Sequence, residues 1–529
     1  MYNLLQRRLK YLFGTGNKRV LEGRQIGVEK ESLRVSPDGS ISYHPHPVST
    51  GAALTNPYIT TDYSEALVEF ITPPFEHIEQ VLQFLRDTQT FVYGELGDEI
   101  LWATSMPCVV SGETSIPLAQ YGSSNAATMK TVYRRGLGHR YGRTMQVIAG
   151  VHFNYSLPDS FWNLYQKSEN DEQPLQDFIS EQYFSQIRNL QRYGWLVPYL
   201  FGASPAVCKS FLGGAETTLE EFDANTYYEP YATSLRMGDI GYQNNKESEI
   251  GIKACYRNVD AYIQSLEYAI NTESPEYKTI GVKKNDRYEQ LNANILQIEN
   301  EYYSTVRPKQ ILQGNEKPTI ALKKRGVQYV ELRSLDVNAF DPLGINETQL
   351  RFLEAFMVFC LLQESPQICF SEREEIDKNE LDVAHRGRDP ELKLSRDAAP
   401  CSLKEWGLEL CGMMKGICEL LDQSHEKSPY IEALNQQIEK IKNPDLTPSA
   451  KMLKEMKDND EAFYHFARRM SQQHYEYFGG IELDSERKEF FIKQAKISIE
   501  QQREIERQDT VSFDEYLEQY FSQSIPDEV

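Results

Sequence analysis

IGVEKESLRV, residues Ile26 to Val35, sets Glu29 and Glu31 two positions apart between apolar flanks, with the turn-like SPDG directly after them. Read as a strand, the segment alternates faces, so both carboxylates point the same way. Same-face neighbours on a strand lie about 6–7 Å apart. At an effective dielectric near 20, two negative charges at that spacing repel by roughly 2–3 kcal/mol. That is a large fraction of the ~5–15 kcal/mol that holds a domain folded. A solvated face tolerates the pair. An inward face needs something cationic between the two groups.

Three further segments repeat the oddity. In YVELRSLD, alternation puts Tyr329, Glu331 and Arg333 on one face and Val330, Leu332 and Ser334 on the other. In GVHFNYSLP, His152, Asn154 and Ser156 oppose Val151, Phe153 and Tyr155. In TTDYSEALVEFITPP, Glu69 is embedded in LVEFI, with Asp62 and Glu65 just upstream. Each alone could be an amphipathic strand with its polar face in water. Four together predict one shared polar cleft. Carboxylates with an occasional histidine suit a hard divalent ion such as Mg²⁺ or Mn²⁺. An inward arginine beside them points to a phosphoryl group whose charge is stabilised during transfer. There is no GxGxxG, no GxxxxGK[ST] and no βαβ rhythm, so neither a Rossmann fold nor a P-loop is expected. The pattern therefore reads as metal-dependent phosphoryl chemistry without a P-loop.

The rest of the chain bounds this reading. With 529 residues, 40% of them hydrophobic, it can bury a large core and suggests two or more structural units. A formal charge of −22 argues against nucleic acid or an anionic membrane as a partner. The N-terminal MYNLLQRRLKYLFGTG carries Leu5, Leu9 and Leu12 at helical spacing with Gly14 as a stop, and lacks the apolar core of a signal peptide; a capping helix of a cytoplasmic protein is expected. Eight scattered cysteines without CxxC or zinc spacing predict reduced, mostly structural thiols. Residues 20–350 read as short strands, turns and a few helices. Arg351–Leu362 reads as a buried helix, 371–400 as a charged stretch without period, and the remainder as helical, with Ile431, Leu434, Ile438 and Ile441 on one face and Thr447-Pro448 opening a helix. The expected organisation is an α+β catalytic body over 1–365 and a helical, charged C-terminal region over 366–529.

GVEKESLRV, ITTDYSEALVEFITP, SMPC, AQYGSSN, GVHFNYSLP, YLFGASPA, YATSLRMGDIGY, LQIENEYY and VELRSLD follow one another in order over roughly 23–340. Together they closely resemble bacterial glutamate–cysteine ligase (γ-glutamylcysteine synthetase), which catalyses the first step of glutathione synthesis. The resemblance implies an α+β fold whose curved, mainly antiparallel sheet is related to the glutamine synthetase catalytic domain, with helices outside. It implies ATP- and Mg²⁺-dependent joining of the L-glutamate γ-carboxyl to the L-cysteine α-amine through γ-glutamyl phosphate, with Mn²⁺ as a possible substitute. A related ligase with another amine acceptor is the alternative. By resemblance, Glu29, Glu31, Asp62, Glu69, His152 and Glu331 match metal ligands, Glu31 and Glu331 also counting as catalytic. Arg333 matches the residue on the transferred phosphate of ATP, and Arg236 the one that pairs with glutamate's α-carboxylate. Tyr133, Tyr242 and Tyr303 match positions around the cysteine subsite. A monomer is expected, with glutathione as a candidate feedback inhibitor.

Overall fold

The strand read at 26–35 is the middle of a seven-stranded antiparallel sheet. The computed structural model describes residues 3–14, 20–241 and 253–524. In chain order the sheet strands are β1 (Gln25–Val35), β2 (Ile59–Thr61), β3 (Leu67–Ile71), β4 (Ile100–Leu101), β5 (Gly150–Ser156), β6 (Val306–Lys309) and β7 (Tyr329–Asp336). Their spatial order is β6-β7-β5-β1-β3-β2, and β4 pairs with the end of β1. The sheet is open, and its antiparallel pairing with helices around it agrees with the expected α+β fold.

The core fixes the register. Val28 of β1, Phe70 of β3, Val151, Phe153 and Tyr155 of β5, and Val330 and Leu332 of β7 are buried on the sheet's back face. Burying seven such side chains contributes on the order of 10–20 kcal/mol. That exceeds the repulsion of about 2–3 kcal/mol between paired carboxylates on the front. A one-residue slip would exchange the two faces, so the register that crowds the acids is the stable one.

Behind the sheet lies the helix Glu347–Leu362, opened by a capping box between Asn346 and Gln349 and buried from Gln349 to Leu362. Its Glu354 is fully buried and meets Arg24, Tyr430 and, at 3.4 Å, the Tyr155 hydroxyl. An ionised carboxylate there is tolerable only because it is paired and hydrogen-bonded. Lys30, between the two glutamates in sequence, points to this side and donates to Gln89 at 2.9 Å.

Most sequence expectations hold. Leu5, Leu9 and Leu12 are buried on the helix Asn3–Gly14. Thr447 caps the helix Pro448–Asp458, accepting the Ala450 N–H at 3.4 Å. The stretch 371–400 departs from the reading. It forms the helix Phe370–Arg386 and the hairpin Lys393–Arg396/Ala399–Ser402. Only Asn379, Val383 and Ala384 of that helix are buried, so it shows no apolar stripe.

The cysteine expectation needs a correction as well. Cys108 and Cys208 form a disulfide across 100 residues of sequence, with Cα atoms 5.5 Å apart. No local spacing announces a pair that only the tertiary fold brings together. The other six cysteines are free thiols. Among the described residues, no helix is long and apolar enough to cross a membrane.

Candidate active site

The front face of the sheet collects the predicted acids in cross-strand rows. Glu29 of β1 lies opposite His152 of β5, and Glu31 opposite Glu69 of β3. Asn154 of β5 faces Gly27 on one side and Glu331 of β7 on the other. Three adjacent strands thus converge: one donor atom each from Glu29, His152 and Glu331 lie within 4.8 Å of one another. His152 Nδ1 is 3.1 Å from Glu29 Oε2 and 3.5 Å from Glu331 Oε1. Asn154 Nδ2 donates to Glu29 Oε1 at 2.9 Å. Two carboxylates and an imidazole in this arrangement are a donor set that fits a hard divalent cation.

The rest of the face makes the fit closer. Burial pushes Glu31 upward, against the pull of His152 and with the push of Asp62. Glu69 is driven well above the carboxylate range by burial and then by Glu29, Asp62 and Glu31. Acids that resist ionisation side by side are what a bound cation would relieve. At the other end the balance reverses. Burial would raise Glu331, but Lys309, Arg333, His152 and Arg307 hold it well below the ordinary range. Burial and the Glu331 charge would raise Glu29 too, but the His152 hydrogen bond together with the His152 and Lys309 charges brings it below its usual value.

Arg333 keeps the face read from alternation. Its Nη1 donates to Glu331 Oε1 at 2.8 Å, although β7 carries an irregularity between Leu332 and Leu335. Arg236 lies beside it: Nη2 donates to the Arg333 carbonyl at 2.9 Å, and Nη1 is 3.7 Å from Asp336 Oδ1. Asp336 is itself held by the Ala203 N–H and the Ser234 hydroxyl, at 2.7 and 2.9 Å. The Nε atoms of both arginines are buried without a hydrogen-bond partner. Buried guanidinium donors without partners are costly unless a ligand meets them. Gly150 gives Arg236 its room, since a Cβ there would overlap the guanidinium. The Gly150 N–H also donates to Glu31 Oε2 at 2.6 Å.

Of the remaining predicted residues, the described ones come from outside the sheet strands. Asp62 follows β2, with its carboxylate 3.6 Å from the Arg134 guanidinium. Tyr303 donates to Met237 Sδ at 3.9 Å, next to Arg236 in sequence. Tyr133, on the helix Asn125–Tyr141, packs against Met129, Val132, Leu291, Leu517 and Tyr520. Tyr242 lies outside the described residues.

Two cations went unread in the sequence. Arg307 lies opposite Glu331, and Lys309 Nζ is 3.1 Å from Glu331 Oε2. The alternation V-R-P-K was there to find, but Pro308 argues against a strand in general. It is tolerated because β6 is an edge strand.

The sequence model of the glutamate–cysteine ligase family matches residues 9–383. The chain belongs to that family. A glutamate–cysteine ligase of Alcanivorax borkumensis is 48% identical over 524 residues, covering 98% of this chain and 99% of that protein. One from Pseudomonas putida is 46% identical over 520 residues, with 98% of both chains covered. The crystal structure of the Francisella tularensis glutamate–cysteine ligase in complex with AMP superposes with a TM-score of 0.87 at 35% identity, over 94% of this chain and 97% of that one. Similarity to the family thus reaches well beyond the motifs at 23–340, into the C-terminal helices.

Proposed function

We propose that this ligase joins the γ-carboxyl of L-glutamate to the α-amine of L-cysteine, consuming ATP, with Mg²⁺ (or Mn²⁺) as its ion and the cytoplasm as its setting. The observation that carries the reading is the convergence of Glu29, His152 and Glu331 from three strands, with Arg333 on Glu331. The family membership and the AMP held by the Francisella relative support a nucleotide as co-substrate. Glu29, His152 and Glu331, with Glu31, Glu69 and Asp62 beside them, are the residues that would hold Mg²⁺. Bound there, the ion screens the carboxylate and phosphate oxygens gathered in one cleft.

The chain's own groups then do the following. Arg236 takes glutamate's α-carboxylate, a planar bidentate task suited to guanidinium. This leaves the γ-carboxylate beside Arg333. One γ-carboxylate oxygen attacks the terminal phosphorus of ATP, ADP leaves, and γ-glutamyl phosphate forms. Arg333 stabilises the charge that develops on the transferring group. The free amine of cysteine attacks the acyl carbon, and phosphate departs with the former carboxylate oxygen. Phosphorylation is needed because a bare carboxylate is a poor acceptor for an amine.

The test is ADP release with glutamate and a panel of amines, with mass spectrometry of the product. The expected outcome is strict dependence on a divalent ion and a γ-linked glutamylcysteine. Glu29→Gln should lose most of the activity while remaining folded. Preference for an amine other than cysteine would shift the reading to a related carboxylate–amine ligase. Wild-type turnover in Glu29→Gln would remove the metal-site assignment.

A further inference from the structure

The helix Phe370–Arg386 is polar, far from the carboxylate rows in sequence, and absent from the reading of the site. Its C-terminal end is nevertheless strapped to the segment that carries Arg236. The Thr233 and Ser234 N–H groups both donate to the Ala384 carbonyl, at 2.9 and 3.1 Å. The Thr233 hydroxyl donates to the Val383 carbonyl at 2.8 Å. Arg388, just past the helix, donates to the carbonyls of Pro230 and Ala232.

His385 closes the strap from both sides. Its Nδ1 is 2.8 Å from Glu229 Oε2, before the segment. Its Nε2 is 3.2 Å from the Asp239 backbone N and 3.2 Å from Asp239 Oδ1, after it. Gly238 makes this approach possible, since a Cβ there would lie 2.6 Å from Nε2. Burial lowers the imidazole's proton affinity, but the hydrogen bonds and charges of Glu229 and Asp239 more than reverse this, so His385 titrates above the ordinary histidine range. Among the described residues, those two carboxylates are the charged groups facing it. Arg386 turns to Asp389 at 2.6 Å, and Arg388 to the backbone.

We infer that His385 is a positioning residue, which through Glu229 and Asp239 holds the turn 234–239 so that Arg236 meets the substrate carboxylate. The inference rests on the reading of Arg236 as the carboxylate-binding arginine. The two sides of the strap behave differently on titration. The Nδ1–H···Glu229 bond exists in both states. The Nε2 side binds the Asp239 carboxylate only when the ring is charged, and accepts the Asp239 N–H when it is neutral. Charged His385 therefore ties both ends of the segment with ion pairs, and deprotonation releases one of them.

The experiment is steady-state kinetics of the full-length enzyme from pH 6 to 9 for wild type, His385→Ala, His385→Gln, Arg236→Lys and the double variant Arg236→Lys/His385→Ala. His385→Ala is expected to raise KM for glutamate by roughly five- to tenfold, the size of one lost hydrogen-bonded contact, with KM for ATP as an unmoved internal control. In wild type, KM for glutamate should rise as pH passes through the His385 titration. His385→Gln, which reaches Asp239 with an uncharged amide, should lie between the two and lose that pH limb. The double variant should be little worse than Arg236→Lys alone, because both changes act through one guanidinium. If Arg236→Lys raises KM for glutamate but His385→Ala changes neither KM nor its pH profile, the inference fails alone. If Arg236→Lys leaves KM for glutamate unchanged, the reading of Arg236 fails and the inference with it. Equal shifts in the KM values of glutamate and ATP would mean a general packing role and would overturn the positioning role.

Discussion

At the scale of single residues, the proposed function has the two arginines divide one surface between two anions. Arg333 donates to Glu331, whereas Arg236 rests on the Arg333 carbonyl and near Asp336. Lysine keeps the charge but loses the planar fork, so it tests geometry rather than net electrostatics. Arg333→Lys should lower kcat on the order of 10²–10³-fold, as removal of a preorganised donor does, with KM for glutamate changing less. Gly150→Ala should do the converse without replacing either arginine. Its new methyl group displaces the Arg236 guanidinium, so KM for glutamate should rise while kcat falls less. Steady-state kinetics on both variants checks this. A Gly150→Ala enzyme with lowered kcat and normal KM would mean that Arg236 does not hold the substrate carboxylate.

At the scale of elements, period-2 alternation carried most of what was legible. Glu29, Glu31, Glu69, His152 and Glu331 all point to the front face, because strand pleating dictates it and the apolar partners on the back face enforce it. Other features depend on contacts that no local pattern encodes. Lys309 was hidden by Pro308, the Cys108–Cys208 pairing by a hundred residues of separation, and the helix around His385 by its lack of an apolar stripe. Tyr133 shows the limit from the other side: it falls on a helix whose neighbours include the C-terminal Leu517 and Tyr520. The packing of the helix Phe463–Gly479 gives a pH signature of its own. Its His474 is buried, and burial with the nearby Lys30 charge pushes it from 6.5 down to about 4. The unfolded chain then takes the proton first. Stability from this group is complete above pH 6.5 and falls as pH drops toward 4, by roughly 3 kcal/mol over the window. Urea melts from pH 7.5 to 4 should show a shallower decline for His474→Gln than for wild type; parallel declines would contradict the burial argument.

At the scale of the whole molecule, an enzyme with a net charge of −22 must bring together substrates that are themselves anions. The fold answers this locally. Arg307, Lys309 and Arg333 gather around Glu331 on β6 and β7 with Arg236 beside Arg333, and donor atoms of Glu29, His152 and Glu331 lie close enough together to hold a metal ion. In the proposed function, ATP activates the glutamate side chain as an acyl phosphate before the amine attacks. The direct test is oxygen tracing, with glutamate carrying ¹⁸O in both γ-carboxyl oxygens, unlabelled ATP, cysteine and Mg²⁺ in ordinary water. Mass spectrometry of the released inorganic phosphate should find one ¹⁸O atom per phosphate, with the second retained in the γ-glutamyl amide. Phosphate released without label, in a reaction that still yields γ-glutamylcysteine, would contradict the account.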